Sequence, residues 1–443
     1  MRSTSPLRRL LDRRGRRCLV VALDGVSIGA LDAARRSGLL PALEAAAGSG
    51  PVRTSSTLPP VSSVAWSTFA TACNPGRHGI FGFTHPRPSD LEMEFPNSTD
   101  LRMPTLWDRA ATDGLRSVVV NLPATYPARR VAGALVAGFV APSLERACYP
   151  PQLAERLARI GYRIDLEVSA LRDDDAALAA ALLEVVDRRI EAMEMLLDEV
   201  GWSLAILSFT EADRLLHVAY RRATADGGPL AEAYREWYRR IDAFVGRCRE
   251  RDPDATIVAL SDHGFGPLRT FVNLDAWLVE RGWLRFGSDG RIDPSSRAFS
   301  MDPGRIYVNS AGLFGRGSVP PPEVPALVDE LAAGLSELVD PETGAPVVAR
   351  VVRRREAYSG PRARYGPHLV CLPAPGYELK SSRRLPLLSE PDGFEGTHTS
   401  DDAFFLAPRA IERPGASLAD TGATVLELLG LPADDVDGRS LVP

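Results

Sequence analysis

Lysine is almost missing from this sequence. Of the 52 basic residues in the 443-residue chain a single one, Lys380, is lysine. That scarcity excludes some chemistry. A Gly-rich phosphate loop of the Walker type needs a lysine directly after glycine, and Lys380 stands instead in Glu378-Leu379-Lys380-Ser381. Schiff-base catalysis would have to rest on this one residue. The matching arginine excess reads as an Ala/Arg-rich coding bias, and Lys380 itself as dispensable. Cysteine is scarce as well. The five cysteines are scattered, odd in number and never spaced C-x-x-C, which argues against a disulfide framework and fits a reducing cytoplasm. No run approaches the roughly 18 apolar residues of a membrane-spanning helix. A net charge of −5 argues against a protein that coats nucleic acid.

The charge is uneven. Residues 1–17 hold Arg2, Arg8, Arg9, Arg13, Arg14, Arg16 and Arg17 against Asp12 alone. This reads as a disordered, solubilising tail, with a basic arm for anionic partners as the second reading. The apolar run Cys18–Leu23 that follows is too short for a signal-peptide core and reads as a first buried strand.

Similar short apolar runs recur at Ser117–Asn121, Leu204–Ser208, Thr256–Leu260 and Ala403–Leu406. Continuous runs of this kind suit a parallel sheet covered on both faces. Helical patterns lie between them. Leu178–Val200 and Leu230–Arg249 carry apolar residues at three- and four-residue spacing, with Tyr234, Trp237, Ile241, Phe244 and Val245 forming one core-facing stripe. Ser417–Leu429 closes the chain as a helix with Asp420 in its first turn. The fold class is therefore α/β: a doubly wound, mostly parallel sheet flanked by helices, with a smaller inserted subdomain. The expected organisation is a tail over 1–17, a catalytic core over 18–265 and 396–443, and connections plus a subdomain near the active site over 266–395. Strand-like pieces at Arg305–Asn309 and His368–Leu372 fall in that last region.

Polar residues cluster where strands end, which is where ligands bind in open α/β sheets. The first strand ends in Asp24-Gly25. Another ends Thr210-Glu211-Ala212-Asp213, with His217 four residues on, so that Asp213 and His217 share a face if the segment turns helical. A third ends Ser261-Asp262-His263-Gly264. The late loop Gly396-Thr397-His398 adds a further imidazole. Each motif alone is weak, since Asp-Gly is usually a turn and Asp-His usually a surface or capping pair. Together they supply three aspartates and three histidines, enough for two metal ions about 4 Å apart. Aspartate oxygens suit hard cations and imidazoles suit zinc, so Zn²⁺ is the first expectation and Mn²⁺ the second. A nucleophile remains to be found. Ser62, in Pro59-Pro60-Val61-Ser62-Ser63, precedes a helical segment, where free N–H groups favour a phosphate; the plain alternative is an N-cap serine.

These pieces in this order resemble the alkaline phosphatase superfamily, in particular its type I phosphodiesterase/nucleotide pyrophosphatase branch. The likeness runs from Leu19 to about Leu441 and also includes Asn74-Pro75-Gly76-Arg77-His78-Gly79, Arg305-Ile-Tyr-Val-Asn309 and Asp435-Val-Asp-Gly-Arg439. It implies one metal site of Asp213, His217 and His398. It implies a second of Asp24, Asp262, His263 and the oxygen of Ser62. Ser62 would be the nucleophile, with Ser63 as neighbouring rival and its backbone as a substrate contact. Family members place the nucleophile nine residues ahead of their Thr-Gly, an offset that Ser62 keeps to Thr71. Threonine is commoner at that place in the branch, and Ala65 stands where eukaryotic-type members carry an asparagine for a phosphoryl oxygen. The implied activity is a two-metal phosphodiesterase for a small phosphate ester, working through a phosphoserine. A phosphomonoesterase or phosphonate hydrolase is the closest alternative. Sulfatase, phosphomutase and non-catalytic binding protein rank below these. Cys73-Asn74-Pro75-Gly76-Arg77 matches the sulfatase C-x-P-x-R signature but lies eleven residues past the nucleophile position. Arg77, Arg87, His85 and His368 are further substrate-binding candidates, though residues of these kinds are more often surface or structural ones.

Overall fold

Strand β1 (Cys18–Leu23) is buried at all six residues, and its side chains alternate between two cores. Leu19, Val21 and Leu23 face one, while Cys18, Val20 and Ala22 face the other. A strand covered on both faces has no use for polar side chains until its end, and this is why the sequence reads as an unbroken apolar run. The computed structural model describes residues 16–443, so most of the Arg-rich tail lies outside the described residues.

Seven further strands join β1 in one sheet: β2 (Val52–Thr54), β3 (Ser117–Leu122), β4 (Gly133–Ala137), β5 (Cys148–Tyr149), β6 (Leu204–Phe209), β7 (Thr256–Leu260) and β8 (Ala403–Leu406). Their order is β2-β8-β7-β1-β6-β3-β4-β5. The five central strands β7, β1, β6, β3 and β4 run parallel. Antiparallel β8 and β5 flank them, and β2 pairs outside β8. The result is a mixed α/β sheet flanked by helices, and the chain forms several smaller sheets as well. Each apolar run singled out in the sequence is one of its strands.

Helices cover both faces. On one face lie α2 (Asp175–Glu199), α3 (Glu211–Ala223) and α4 (Pro229–Arg251), and the stripe from Tyr234 to Val245 on α4 is buried there. On the other face α1 (Ser62–Thr71) packs beside α5 (Leu418–Leu429). The chain divides into two compact units. This sheet and its helices belong to the first, made of residues up to Cys73, Asn97–Phe265 and His398–Pro443.

The second unit comprises Asn74–Pro96 and Gly266–Thr397. It holds a four-stranded antiparallel sheet in the order Ala298–Met301, Arg305–Val308, Leu369–Pro373, Val348–Arg353. Its core includes Trp277, Phe299, Tyr307, Leu331 and Leu369. Lys380 lies here, paired with Glu378 and seated over the ring of Phe271. That is a packing role.

One polar contact inside the first unit fixes α3. Arg189 of α2 and Glu211, the first residue of α3, are both fully buried, with Nη1 2.6 Å from Oε1. Arg189 also donates to Thr210 Oγ1 at 3.1 Å and to the Ile164 carbonyl at 2.9 Å. The Trp237 indole donates to Glu211 Oε2 at 3.3 Å. Removing one partner leaves the other charge buried and uncompensated. Arg189→Met should therefore cost about 3–5 kcal/mol of unfolding free energy in urea titrations. The double replacement Arg189→Met with Glu211→Leu should cost less than the single one.

Candidate metal centre

Three parallel strands deliver the polar residues of the first unit to one place. Asp24 directly follows β1, Asp262 and His263 follow β7, and the chain leaving β6 enters α3, which carries Asp213 and His217. His398 comes from the strand Gly396–Thr399. Gly25 makes the first delivery feasible. Its φ is +73°, and an added Cβ would lie 3.1 Å from both Cα and Cβ of Asp213 and from the Phe265 ring. Only glycine combines that backbone with that approach.

Ser62 is the first residue of α1; the N-cap is Val61. Its hydroxyl is therefore not used for capping. Oγ lies 3.2 Å from Asp24 Oδ1 and 3.3 Å from His263 Nε2. Val64 and Ala65 N–H both reach the Val61 carbonyl, so the N–H groups of Ser62 and Ser63 are the ones a helix start leaves over. The remaining oxygen of Asp24 accepts from the Trp66 indole at 2.8 Å.

The imidazoles have defined faces. His263 Nδ1 is 3.1 Å from the Gly264 carbonyl, which can only accept. Nδ1 therefore carries the proton, and the Nε2 lone pair faces Ser62, Asp24 at 3.7 Å and Asp262 Oδ2 at 3.3 Å. His398 repeats the device, with Nδ1 donating to the Pro60 carbonyl at 2.8 Å. Its Nε2 lies 3.1 Å from Asp213 Oδ1 and 3.0 Å from His217 Nε2. His217 Nε2 is in turn 3.6 Å from Asp213 Oδ1. The Phe265 ring packs edge-on against His217 and His398.

Electrostatically the cluster is unbalanced. Burial, then the nearby Asp262 and Asp213, push the Asp24 carboxyl well above its usual range, and burial likewise raises Asp262. Burial opposes ionisation of Asp213 too, but His217, His398 and Arg214 outweigh it and hold that carboxyl low. Burial keeps His263 neutral, with its pKa well below the ordinary value. Asp262 Oδ1 accepts from the N–H groups of Gly25 and His263. Asp262 Oδ2 is buried and accepts no hydrogen bond.

Converging lone pairs, an orphaned carboxylate oxygen and three buried carboxylates fit divalent cations. The donor atoms of Asp24, Asp262 and His263 lie within 4.8 Å of one another, as do those of Asp213, His263 and His398. His263 belongs to both groups, so the two donor sets adjoin.

Trp66, Phe265 and Arg214 escaped the sequence reading. Trp66 left a signal, since it stands one helical turn after Ser62 and so on the same face. Arg214 and Phe265 each neighbour a motif but resemble ordinary helix and core residues. Other candidates hold structural places. Arg87 is ion-paired with Asp90 at the surface. His85 Nε2 accepts from Phe81 N–H and His368 Nδ1 from Val308 N–H, both in the second unit. Cys73 follows the far end of α1, roughly 15 Å of helix from Ser62.

Several solved structures share this fold. Phosphonoacetate hydrolase from Sinorhizobium meliloti, solved with phosphonoformate, is 18% identical over 94% of this chain and 96% of its own, with a TM-score of 0.62. The same enzyme with phosphonoacetate gives 19% identity, the same coverage and a TM-score of 0.61. An inactive murine ectonucleotide pyrophosphatase/phosphodiesterase 5 in complex with AMP is 14% identical over 96% of this chain and 97% of its own, with a TM-score of 0.55. These likenesses show a shared alkaline phosphatase-like fold. No curated protein sequence matches the chain. The family model for type I phosphodiesterase/nucleotide pyrophosphatase matches residues 18–401, and the chain belongs to that family of metal-dependent phosphoester hydrolases.

Gly25→Ala should perturb the centre without touching a donor atom. We expect a loss of about 1–3 kcal/mol in urea unfolding, together with weaker retention of bound metal on dialysis.

Proposed function

We propose that this protein is a two-metal phosphodiesterase that acts on a small phosphate ester through a covalent phosphoserine at Ser62. The observation that carries the reading is the Ser62 hydroxyl, excused from capping and held 3.2 Å from Asp24 Oδ1 and 3.3 Å from His263 Nε2. Asp24, Asp262, His263 and Ser62 Oγ would hold one cation, and Asp213, His217 and His398 the other. Zinc is the first choice for such a donor set and manganese the second. When bound, the pair supplies positive charge that favours the serine alkoxide and neutralises the phosphoryl and leaving oxygens.

The chain supplies position and direction. Asp24 and His263 fix Oγ at the start of α1. Oγ forms a bond to phosphorus as the ester bond to the departing alcohol breaks, and the serine proton ends on that alcohol. Water then cleaves the phosphoserine, releasing the phosphoryl group with the second alcohol still attached and restoring the hydroxyl. The N–H groups of Ser62 and Ser63, with the dipole of α1 behind them, are suited to the non-bridging oxygens. Hydrolysis of a phosphomonoester or a phosphonate on the same site is the second reading. Ala65 supports it, since it removes the side chain that serves a phosphoryl oxygen in eukaryotic-type members, and the fold is also that of phosphonoacetate hydrolase. We place the protein in the cytoplasm on its cysteine usage. No described helix is long and apolar enough to cross a membrane.

Chelation should abolish turnover of bis(p-nitrophenyl) phosphate, and zinc or manganese should restore it, with two ions bound per chain by elemental analysis. Ser62→Ala should lower turnover by about a thousandfold or more while keeping both ions. Acid quenching of the wild-type enzyme during turnover of bis(p-nitrophenyl) phosphate should trap the phosphoryl group, with its remaining p-nitrophenyl ester, on Ser62, detected by peptide mass spectrometry. Full activity in Ser62→Ala with both ions bound would refute the nucleophile assignment.

A further inference from the structure

Arg214 is the one arginine ion-paired to an aspartate of the centre among the described residues. Its guanidinium is oriented on three sides. Nε donates to Asp165 Oδ1 at 3.0 Å, Nη1 approaches Asp213 Oδ2 at 3.6 Å, and Cζ lies 3.8 Å from the centroid of the Phe139 ring. The side chain is 19% exposed, and its charge reaches Asp24 as well as Asp213.

The hydrogen-bond inventory is incomplete. The 3.6 Å approach to Asp213 is an ion pair but too long for a hydrogen bond. Nη2 takes no acceptor among the described residues. Arg189 offers the contrast: it is fully buried and both its Nη groups meet protein acceptors. A guanidinium kept only for structure behaves like Arg189. One that is braced on Nε yet keeps Nη donors uncommitted beside a charged centre is preorganised for an anion, because its planar fork matches two oxygens of one phosphoryl group. On the helix that carries Ser62, Ala65 one turn on supplies no side-chain donor, so a phosphoryl oxygen meets only the backbone N–H groups of Ser62 and Ser63 from that side.

We infer that Arg214 is a substrate-binding residue whose free Nη donors take a phosphoryl oxygen and shift the centre toward doubly charged phosphorus groups, those of phosphomonoesters and phosphonates, relative to singly charged diesters. This rests on the Ser62 nucleophile of the reading above and favours its second form, in which the substrate is a phosphomonoester or a phosphonate. A monoester is mostly a dianion at neutral pH, since its second pKa is about 6. A diester keeps one charge. An added cation therefore discriminates between them, and hydrogen bonds between charged partners are the strong ones. Asp165 is the positioning residue that holds the fork in plane.

The test uses the metal-loaded enzyme and Arg214→Leu, with Arg214→Gln as replacement should the leucine variant not fold. We compare kcat/KM for p-nitrophenyl phosphate and for bis(p-nitrophenyl) phosphate, the Kd of inorganic phosphate by calorimetry, and metal content. The expected result is unchanged metal content and phosphate affinity weakened about tenfold or more. Monoester kcat/KM should fall at least tenfold further than diester kcat/KM, with partial recovery in Arg214→Lys. An unchanged monoester-to-diester ratio, or an equal loss on both with metal released, would overturn the inference and leave Arg214 as a brace for Asp213. If the wild-type enzyme cleaves neither ester, the Ser62 reading fails. The phosphate Kd then still decides for or against Arg214.

Discussion

Three carboxylates, Asp24, Asp213 and Asp262, are held together in a buried place, and the first unit is arranged around the difficulty of keeping them there. Unpaired buried charge is among the most costly things a fold can contain. Here it is divided among several partners. Trp66 serves Asp24, the N–H groups of Gly25 and His263 serve Asp262, and two imidazoles with Arg214 serve Asp213. What remains unserved is the inner side, where lone pairs face one another and Asp262 Oδ2 has no donor. A cation would complete that arrangement, in keeping with the metal dependence of the family.

The sheet supplies the rigidity this needs. Parallel strands end side by side, so β1, β6 and β7 aim their following residues at one edge without long loops. The helix that carries Asp213 and His217 is pinned at its first residue by the Arg189–Glu211 pair, which is buried completely. Such a pair is poor evidence for stability, but breaking it would be costly, and its place at the root of α3 ties that cost to the geometry of the centre. The histidines are fixed in the same manner. In His263 and His398 a backbone carbonyl on Nδ1 sets the tautomer and leaves Nε2 facing inward.

Family membership and substrate choice are carried by different residues. The family match marks a phosphoester hydrolase, whereas substrate choice would fall, on the readings proposed above, to the surroundings of Ser62 such as Ala65 and Arg214. Specificity resides in such contacts, because a two-metal centre accepts many phosphorus esters and only its surroundings tell one from another.

The sequence by itself determined the strands, since a strand buried on both faces must be written as an apolar run, and Cys18–Leu23, Ser117–Asn121 and Thr256–Leu260 could be read directly. It determined which residues could bear chemistry, because six histidines and a handful of Asp-bearing strand ends leave few choices. It was silent where meaning depends on who arrives from elsewhere. Trp66 looked like core and proved to donate to Asp24, forty-two positions away. Arg214 looked like helix surface, and only tertiary structure set it against Asp165 and Phe139. The antiparallel insertion of β8 between β7 and β2 was likewise decided by packing. The reason is physical: burial and periodicity are local and leave a trace in the chain, whereas the partner of a polar side chain is chosen by the fold.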